Sequence, residues 1–192
     1  MDWGTLVAAV GGGFIAITGT VLADHLRHRH EADRGLNERR RAVYIEFISA
    51  AEGCHSRLRQ IAQGPGAAGG AGEDAGEGGD LDAVTRAALT EAKIYEVRER
   101  LFIDASSAVA GAGQVMFERL RALRKAVATG ATQTSPAFHA AYHPYIGSVW
   151  GYRVAVRKEL DGQSLSPEEF GWSSWDGRDR CPLCSGEPQG GG

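Results

Sequence analysis

Residues 135–162 read SPAFHAAYHPYIGSVWGYRVAVRKELDG, and this stretch predicts a long amphipathic helix. Ser135 can cap the helix N-terminus, Pro136 suits its first turn, and Gly162 can end it. Pro144 is expected to kink or restart the helix, because a proline removes one backbone hydrogen bond. Between the two ends, large apolar side chains recur every three or four residues, the spacing of one buried helix face: Phe138, Tyr142, Tyr145, Val149, Tyr152, Val156 and Leu160.

Three further amphipathic segments precede this helix. Asp24 to Gln63 reads as one long helix or two nearly continuous ones, with a stripe of Tyr44, Phe47, Ala51, Cys54, Leu58 and Ile61. The next segment follows a possible cap at Asp80 and has the stripe Leu81, Val84, Ala88, Ala92 and Tyr95. The last follows a possible cap at Asp104, has the stripe Val109, Ala112, Met116, Leu120, Leu123 and Val127, and stops at Gly130. Residues 94–103 fit either a helix end or a short extended piece.

These patterns predict an all-α protein. Each stripe must be buried, and an antiparallel, four-helix-like bundle over residues 24–162 does this economically. Residues 64–80 are rich in glycine and acidic side chains, so we expect a flexible loop there. Residues 163–192 are expected to form a disordered tail that contains the turn Cys181-Pro182-Leu183-Cys184.

The N-terminal segment suggests where the protein is located. Residues 3–23 carry no charged side chain, and as a helix they would be about 31 Å long, the thickness of a bilayer's hydrocarbon core. We therefore expect a transmembrane anchor over residues 1–23. A cleaved signal peptide and a buried core helix are the alternatives, since a small-residue cleavage pattern can be drawn at Val21-Leu22-Ala23 and the glycines lower the hydrophobicity.

Basic side chains follow the uncharged segment directly. They are Arg27, Arg29, Arg34, Arg39, Arg40 and Arg41. Arginine resists translocation, so we expect a single-pass plasma-membrane protein with its N-terminus outside and its body in the cytoplasm. This basic patch can also contact anionic lipid headgroups. The whole chain has a net charge of −3, which argues against a nucleic-acid partner.

Small residues recur every fourth position along the expected anchor. They are Gly4, Ala8, Gly12, Ala16 and Thr20. Such a face lets two membrane helices approach closely, so a homodimer is one hypothesis. The alternative is that glycine and alanine are simply abundant in this chain.

The strongest local signal for chemistry is the pair Cys181 and Cys184. Two thiolates in this spacing suit half of a tetrahedral zinc site, and the turn resembles one knuckle of a zinc ribbon. No second Cys pair follows, so zinc would need ligands from a partner chain or from His139, His143 or Cys54. A redox dithiol is a further alternative. The sequence favours two reduced thiols in an unstructured tail over both.

His139 and His143 lie one helical turn apart, a spacing that can chelate a metal. The metalloprotease signature is absent, because Ala140 stands where the general base would be. With His55 as a third ligand, the pair would resemble the metal site of DinB-like helical bundles. The simpler interpretation is two partly exposed histidines near a helix start. The sequence predicts no catalytic residue, and zinc is the only cofactor that its residue pattern suggests.

The layout as a whole resembles a group of small actinobacterial membrane-anchored helical proteins. The similarity covers residues 1–161: a Gly/Ala-rich span, a polar helical neck, residues 41–47 (RAVYIEF) and residues 153–160 (RVAVRKEL). The resemblance implies an anchored helical architecture and a cytosolic body, and it implies no reaction. We therefore expect a non-enzymatic scaffold that binds an unknown protein partner. The alternative is a zinc-binding regulator or metal-dependent enzyme that uses the histidine or cysteine pair.

Overall fold

A computed structural model describes residues 34–64 and 79–185. Within these ranges the protein has five α-helices and no β-strand, which confirms the predicted all-α class and is consistent with a helical bundle. The α-helices are α1 (residues 34–62), α2 (Gly79–Glu91), α3 (Ile94–Asp104), α4 (Ser107–Ala128) and α5 (Pro136–Asp161). Two 3₁₀ helices follow, at Pro167–Phe170 and Arg178–Arg180. The chain divides into two compact units, residues 1–41 and 42–192.

Helix α5 begins and ends where the sequence predicts. The Ser135 hydroxyl accepts a hydrogen bond from the Phe138 amide at 3.3 Å, and Gly162 adopts the left-handed conformation (φ 68°) that closes a helix. The predicted restart at Pro144 is wrong, because α5 is one continuous helix through this residue. The neighbouring His143 and Tyr145 are buried, so tertiary packing compensates for the lost backbone hydrogen bond.

Helix α5 runs antiparallel to α1 in the core. The Tyr152 hydroxyl donates to the Tyr44 carbonyl at 3.2 Å, and the Tyr145 hydroxyl donates to the Ala51 carbonyl, also at 3.2 Å. Contacting positions therefore increase in residue number along α1 as they decrease along α5, which is the pattern of antiparallel helices. Each phenol buries an aromatic ring and satisfies its own polar group through a backbone carbonyl, as burial of tyrosine requires.

Helix α4 packs along α5, and α3 contacts α4. Residues 94–103, ambiguous in the sequence, are helical and form most of α3. The N-cap of α4 is Ser106, which accepts from the Val109 amide at 3.4 Å, whereas the predicted cap Asp104 is the last residue of α3. Only a short connection therefore separates the two helices, and Ser106 also donates to the Glu159 carboxylate near the end of α5.

The apolar stripes predicted from the sequence identify most of the buried core residues, and a few positions differ. The α1 stripe is buried from Tyr44 to Leu58, and Ile61 is half-buried. In α2, however, Thr85 and Leu89 are buried, while Tyr95 belongs to α3 and is 46% exposed. The chain turns at Lys93, whose φ of 51° is left-handed. Because of this break, the helical spacing of buried residues in α2 does not continue into α3.

Several predictions fall outside the described residues. They are the anchor over residues 1–23, with its face of Gly4, Ala8, Gly12, Ala16 and Thr20, as well as Arg27, Arg29 and residues 65–78 of the expected loop. Among the described helices, none combines the length and apolar character needed to cross a bilayer. Of the remaining basic patch, Arg34, Arg39 and Arg41 are exposed and Arg40 is half-buried.

Candidate metal centre

Residues 163–185, which we name the C-terminal segment, pack against α5. This corrects the expectation of a disordered tail for that part of residues 163–192. The Trp175 ring stacks on Trp150 of α5, with centroids 4.5 Å apart and planes 9° apart. Phe170 and Trp172 also contact Trp150, at 5.2 and 5.4 Å between centroids. Aromatic pairs of this kind contribute about 0.5–1.5 kcal/mol beyond the area that they bury, so they help to hold the segment against the helix.

Beside these rings, the backbone of the C-terminal segment at Asp176 lies close to α5 at Gly147. A Cβ atom added to Gly147 would lie 3.4 Å from the Asp176 Cβ atom and 3.6 Å from its Cα atom. Glycine at position 147 therefore leaves room for the Asp176 backbone against the helix. The Asp176 carboxylate in turn accepts from the Ser174 hydroxyl at 2.7 Å and from the Arg178 amide at 3.0 Å, which fixes the local turn. Partial burial opposes ionisation of Asp176, but these hydrogen bonds outweigh it and lower its pKa.

This packing gathers four side chains that can ligate a metal. His139 and His143 come from the first turns of α5, and Cys181 and Cys184 come from the C-terminal segment. One ligand atom from each lies within 4.8 Å of all the others. The two pairs singled out separately in the sequence are thus one cluster, and the cysteine pair needs no partner chain to complete a set of four ligands.

The orientation of His143 suits a metal ligand. Its Nδ1 atom lies 2.9 Å from the Asp176 carbonyl oxygen. A carbonyl can only accept, so Nδ1 carries a proton, and in the neutral form of the ring Nε2 then holds the free lone pair. That Nε2 atom is buried and has no hydrogen-bond partner, in a residue that is only 2% exposed. A buried orphan acceptor is costly, and a cation bound at Nε2 would satisfy it.

His139 is held in the complementary way. Its Nε2 atom donates to the Gln133 carbonyl at 2.8 Å, so in the neutral form of the ring Nδ1 has no proton and its lone pair is free. Nδ1 lies 3.4 Å from the Cys181 sulfur. Both histidines therefore donate one ring N–H to a backbone carbonyl, as metal-bound histidine typically does, and the second nitrogen of His139 lies beside the Cys181 sulfur.

The two cysteines are brought together by a tight turn. The Cys184 amide donates to the Cys181 carbonyl at 3.0 Å, and the Ser185 amide donates to the same oxygen at 2.9 Å. Desolvation is the larger cause that raises the pKa of the Cys184 thiol, and the adjacent Cys181 thiol is the second. Two thiolates at this position are therefore unfavourable without a nearby positive charge. A cation bound by the two sulfurs would supply that charge and keep both deprotonated.

The dimensions of the cluster fit zinc. Bond lengths of about 2.3 Å to sulfur and 2.0 Å to nitrogen put tetrahedral ligand atoms roughly 3.3–3.8 Å apart. The distance of 3.4 Å between Cys181 Sγ and His139 Nδ1 already falls in this range. The widest separation is within 4.8 Å, so closure needs small side-chain movements. Two sulfurs and two imidazole nitrogens are a preferred donor set of structural zinc sites.

An open groove of about 370 Å³ borders the cluster. His139 and Cys184 form its inner wall, and Arg178 and Leu183 lie on the segment side; Thr134, Pro136 and Ala140 complete it. Solvent and small solutes therefore reach one side of the cluster.

Two other candidate ligands lie outside the cluster. Cys54 is fully buried on α1, where desolvation raises the pKa of its thiol to about 12, in agreement with the prediction of a small core residue. His55 is buried beside the Tyr142 and Tyr145 rings, and its Nδ1 atom lies 3.9 Å from the Glu52 carboxylate. The three-histidine arrangement with His55 is therefore absent from the cluster in the described part of the chain.

Sequence reasoning missed the groups that orient the ligands. Gln133 and Asp176 contribute backbone carbonyls, which carry no signature in a sequence. The expected exposure of the histidine pair is also wrong for His143. The signals that were available are Gly147 and the tryptophans around the cysteine pair, since a Trp-rich tail is unusual for a disordered segment.

The described residues thus form a helical bundle with a cluster of two cysteines and two histidines between α5 and the C-terminal segment. No protein-family model matches this chain, and no curated protein or solved structure is significantly similar to it. The resemblance to membrane-anchored helical proteins thus stays a prediction.

Proposed function

We propose that this chain is a zinc-binding helical-bundle protein in which one zinc ion fastens the C-terminal segment to α5. The observation that carries the proposal is the convergence of ligand atoms from His139, His143, Cys181 and Cys184 within 4.8 Å. The unpartnered, buried Nε2 atom of His143 supports it independently.

The zinc has a structural role in this proposal. Four protein ligands fill a tetrahedral shell, whereas a catalytic zinc keeps one position for water or substrate. We propose in addition that the protein is a non-enzymatic module that binds a protein partner through its surface. The metal keeps the surface formed by α5 and the C-terminal segment in one arrangement.

Metal analysis of the full-length protein tests the proposal. We expect one zinc per chain after purification without chelator, and loss of that zinc in Cys181→Ser and His143→Ala. The matched controls Cys54→Ser and His55→Ala, at buried positions outside the cluster, should retain it. Replacement by cobalt should give the absorption of a tetrahedral site with two sulfur ligands. Zinc-free wild-type protein, or zinc retained in both ligand variants, would refute the site.

A second proposal concerns location and is supported by the uncharged run over residues 3–23 and the arginines that follow it. We infer that this run anchors the protein in the plasma membrane with the helical bundle in the cytoplasm, and that its small-residue face can pair two copies. The full-length chain should sediment with membranes, and a chain lacking residues 1–23 should remain in the supernatant. Cross-linking of dimers should decrease in Gly12→Leu.

A further inference from the structure

The three cysteines differ sharply in their access to solvent. Cys54 is fully buried in the bundle core. Cys181 and Cys184 are half-buried, and Cys184 lines the 370 Å³ groove that opens beside the cluster. A small oxidant can therefore reach the cluster thiols and is kept away from the core thiol.

The two accessible cysteines can also form a disulfide without refolding the bundle. Their sulfurs lie within 4.8 Å, and the hydrogen bond from the Cys184 amide to the Cys181 carbonyl closes a four-residue turn. Such a turn keeps the terminal Cα atoms within about 7 Å, close to the range that a disulfide spans. No other cysteine of the described chain lies in the cluster.

We propose that the Cys181–Cys184 pair is a thiol-oxidation site for hydroperoxides, whose oxidation expels the zinc and frees the C-terminal segment. This inference rests on the proposed zinc site and names its regulation. The sulfur atoms of Cys181 and Cys184 react with the hydroperoxide, and the zinc ion has no catalytic role.

The reaction balances with hydrogen peroxide as the only oxidant. The Cys184 thiolate, which faces the groove, attacks one peroxide oxygen; a sulfur–oxygen bond forms, the oxygen–oxygen bond breaks, and hydroxide leaves. The Cys181 thiolate then attacks the Cys184 sulfenic acid, the sulfur–sulfur bond forms, and a second hydroxide leaves. The two thiolates lose two electrons, the peroxide gains them, and two protons from solvent convert the hydroxides to water.

Disulfide formation removes half of the ligand set. Neutral disulfide sulfurs are poor zinc ligands, and His139 and His143 alone hold the ion weakly, so zinc leaves. The C-terminal segment is then held by its aromatic contacts with Trp150 and by backbone hydrogen bonds. We expect it to open more often, and the freed backbone after Arg178 and Arg180, whose side chains are already exposed, can then enter the active site of trypsin.

The experiment uses full-length, zinc-loaded protein treated with equimolar and excess hydrogen peroxide. Zinc release is followed with a chromogenic indicator, free thiols are counted under denaturing conditions, and the disulfide is mapped by mass spectrometry. We expect the loss of one zinc, a fall from three thiols to one, a Cys181–Cys184 bond, and at least a several-fold increase in tryptic cleavage after Arg178. Dithiothreitol with added zinc should reverse all four changes.

Two variants make the result specific. Cys54→Ser should release zinc at the wild-type rate and fall from two thiols to none. Cys184→Ser should form no intramolecular disulfide, and circular dichroism verifies that its helices remain folded. Retention of zinc and of all three thiols in excess peroxide would overturn this inference and leave the zinc site intact. Protein that never binds zinc would overturn both.

Discussion

The Nδ1 atom of His143 donates a hydrogen bond to the backbone carbonyl of Asp176 across 2.9 Å, which joins helix α5 to the C-terminal segment. The same bond occupies Nδ1, whereas the buried Nε2 atom of the ring has no hydrogen-bond partner. The orientation of a ligand on the helix thus depends on where the segment lies. Zinc binding and docking of the segment should therefore be thermodynamically coupled.

Filling the gap at Gly147 should weaken zinc binding. A leucine side chain at this position would overlap Asp176, whose Cβ atom lies 3.4 Å from an ideal Cβ at Gly147. Overpacking of this kind costs about 1–3 kcal/mol, which corresponds to roughly a 5- to 150-fold loss of zinc affinity. Competition with a chelator of known affinity measures the change in Gly147→Leu.

Gly151→Leu is the matched control for this prediction. Gly151 lies one turn further along α5, and a Cβ atom there meets nothing within 4 Å. Its zinc affinity should equal that of the wild-type protein. Equal affinities in the two leucine variants would show that the approach of Asp176 to α5 does not position the ligands.

Truncation of Trp150 should also weaken zinc binding, although this residue is not a ligand. Its ring stacks on Trp175, and removal of the stack loosens the segment that carries both cysteines. Aromatic pairs contribute about 0.5–1.5 kcal/mol beyond burial, so we expect zinc affinity to fall roughly tenfold in Trp150→Ala. Ile103→Ala, at an apolar position that is 80% exposed on α3, should leave the affinity unchanged.

Gly113 of α4 should be intolerant of any side chain. An added Cβ atom would overlap Leu101 and lie 3.3 Å from the Phe47 ring. Overpacking costs about 1–3 kcal/mol and the gain in helix propensity returns about 1 kcal/mol, so Gly113→Ala should lower the free energy of unfolding by up to about 2 kcal/mol in urea titrations. Gly111→Ala, in the same helix with open space around it, should instead raise it by about 1 kcal/mol. A stabilising Gly113→Ala would contradict the packing described for this layer.

The thiol of Cys54 should stay unreactive while the protein is folded. Burial raises the pKa of this thiol to about 12. Almost no thiolate therefore exists at pH 8, and the thiolate fraction becomes substantial only when the pH approaches 12. After removal of zinc by a chelator, iodoacetamide at pH 8 should alkylate Cys181 and Cys184 and spare Cys54. Peptide mapping checks this, and Cys54 should react once urea unfolds the bundle. Rapid alkylation of Cys54 in the native protein would be inconsistent with its core position.

Much of the helical fold could be predicted because its determinants are local. The cap at Ser135, the terminator Gly162 and the stripe from Tyr44 to Leu58 act through short-range hydrogen bonds and helical spacing. The errors occurred where tertiary contacts override local preference. Packing keeps α5 continuous through Pro144, and the left-handed turn at Lys93 moves Tyr95 out of the core.

The sequence by itself determined the all-α class, the helical stripes and the two ligand pairs, because each depends on neighbours within one or two turns of helix. Only the tertiary structure decided that His139 and His143 meet Cys181 and Cys184, about 40 residues away along the chain. The physical reason is that ligand convergence depends on the docking of the C-terminal segment through Trp150, Trp175 and Gly147. Such long-range packing leaves no periodic signal in the sequence.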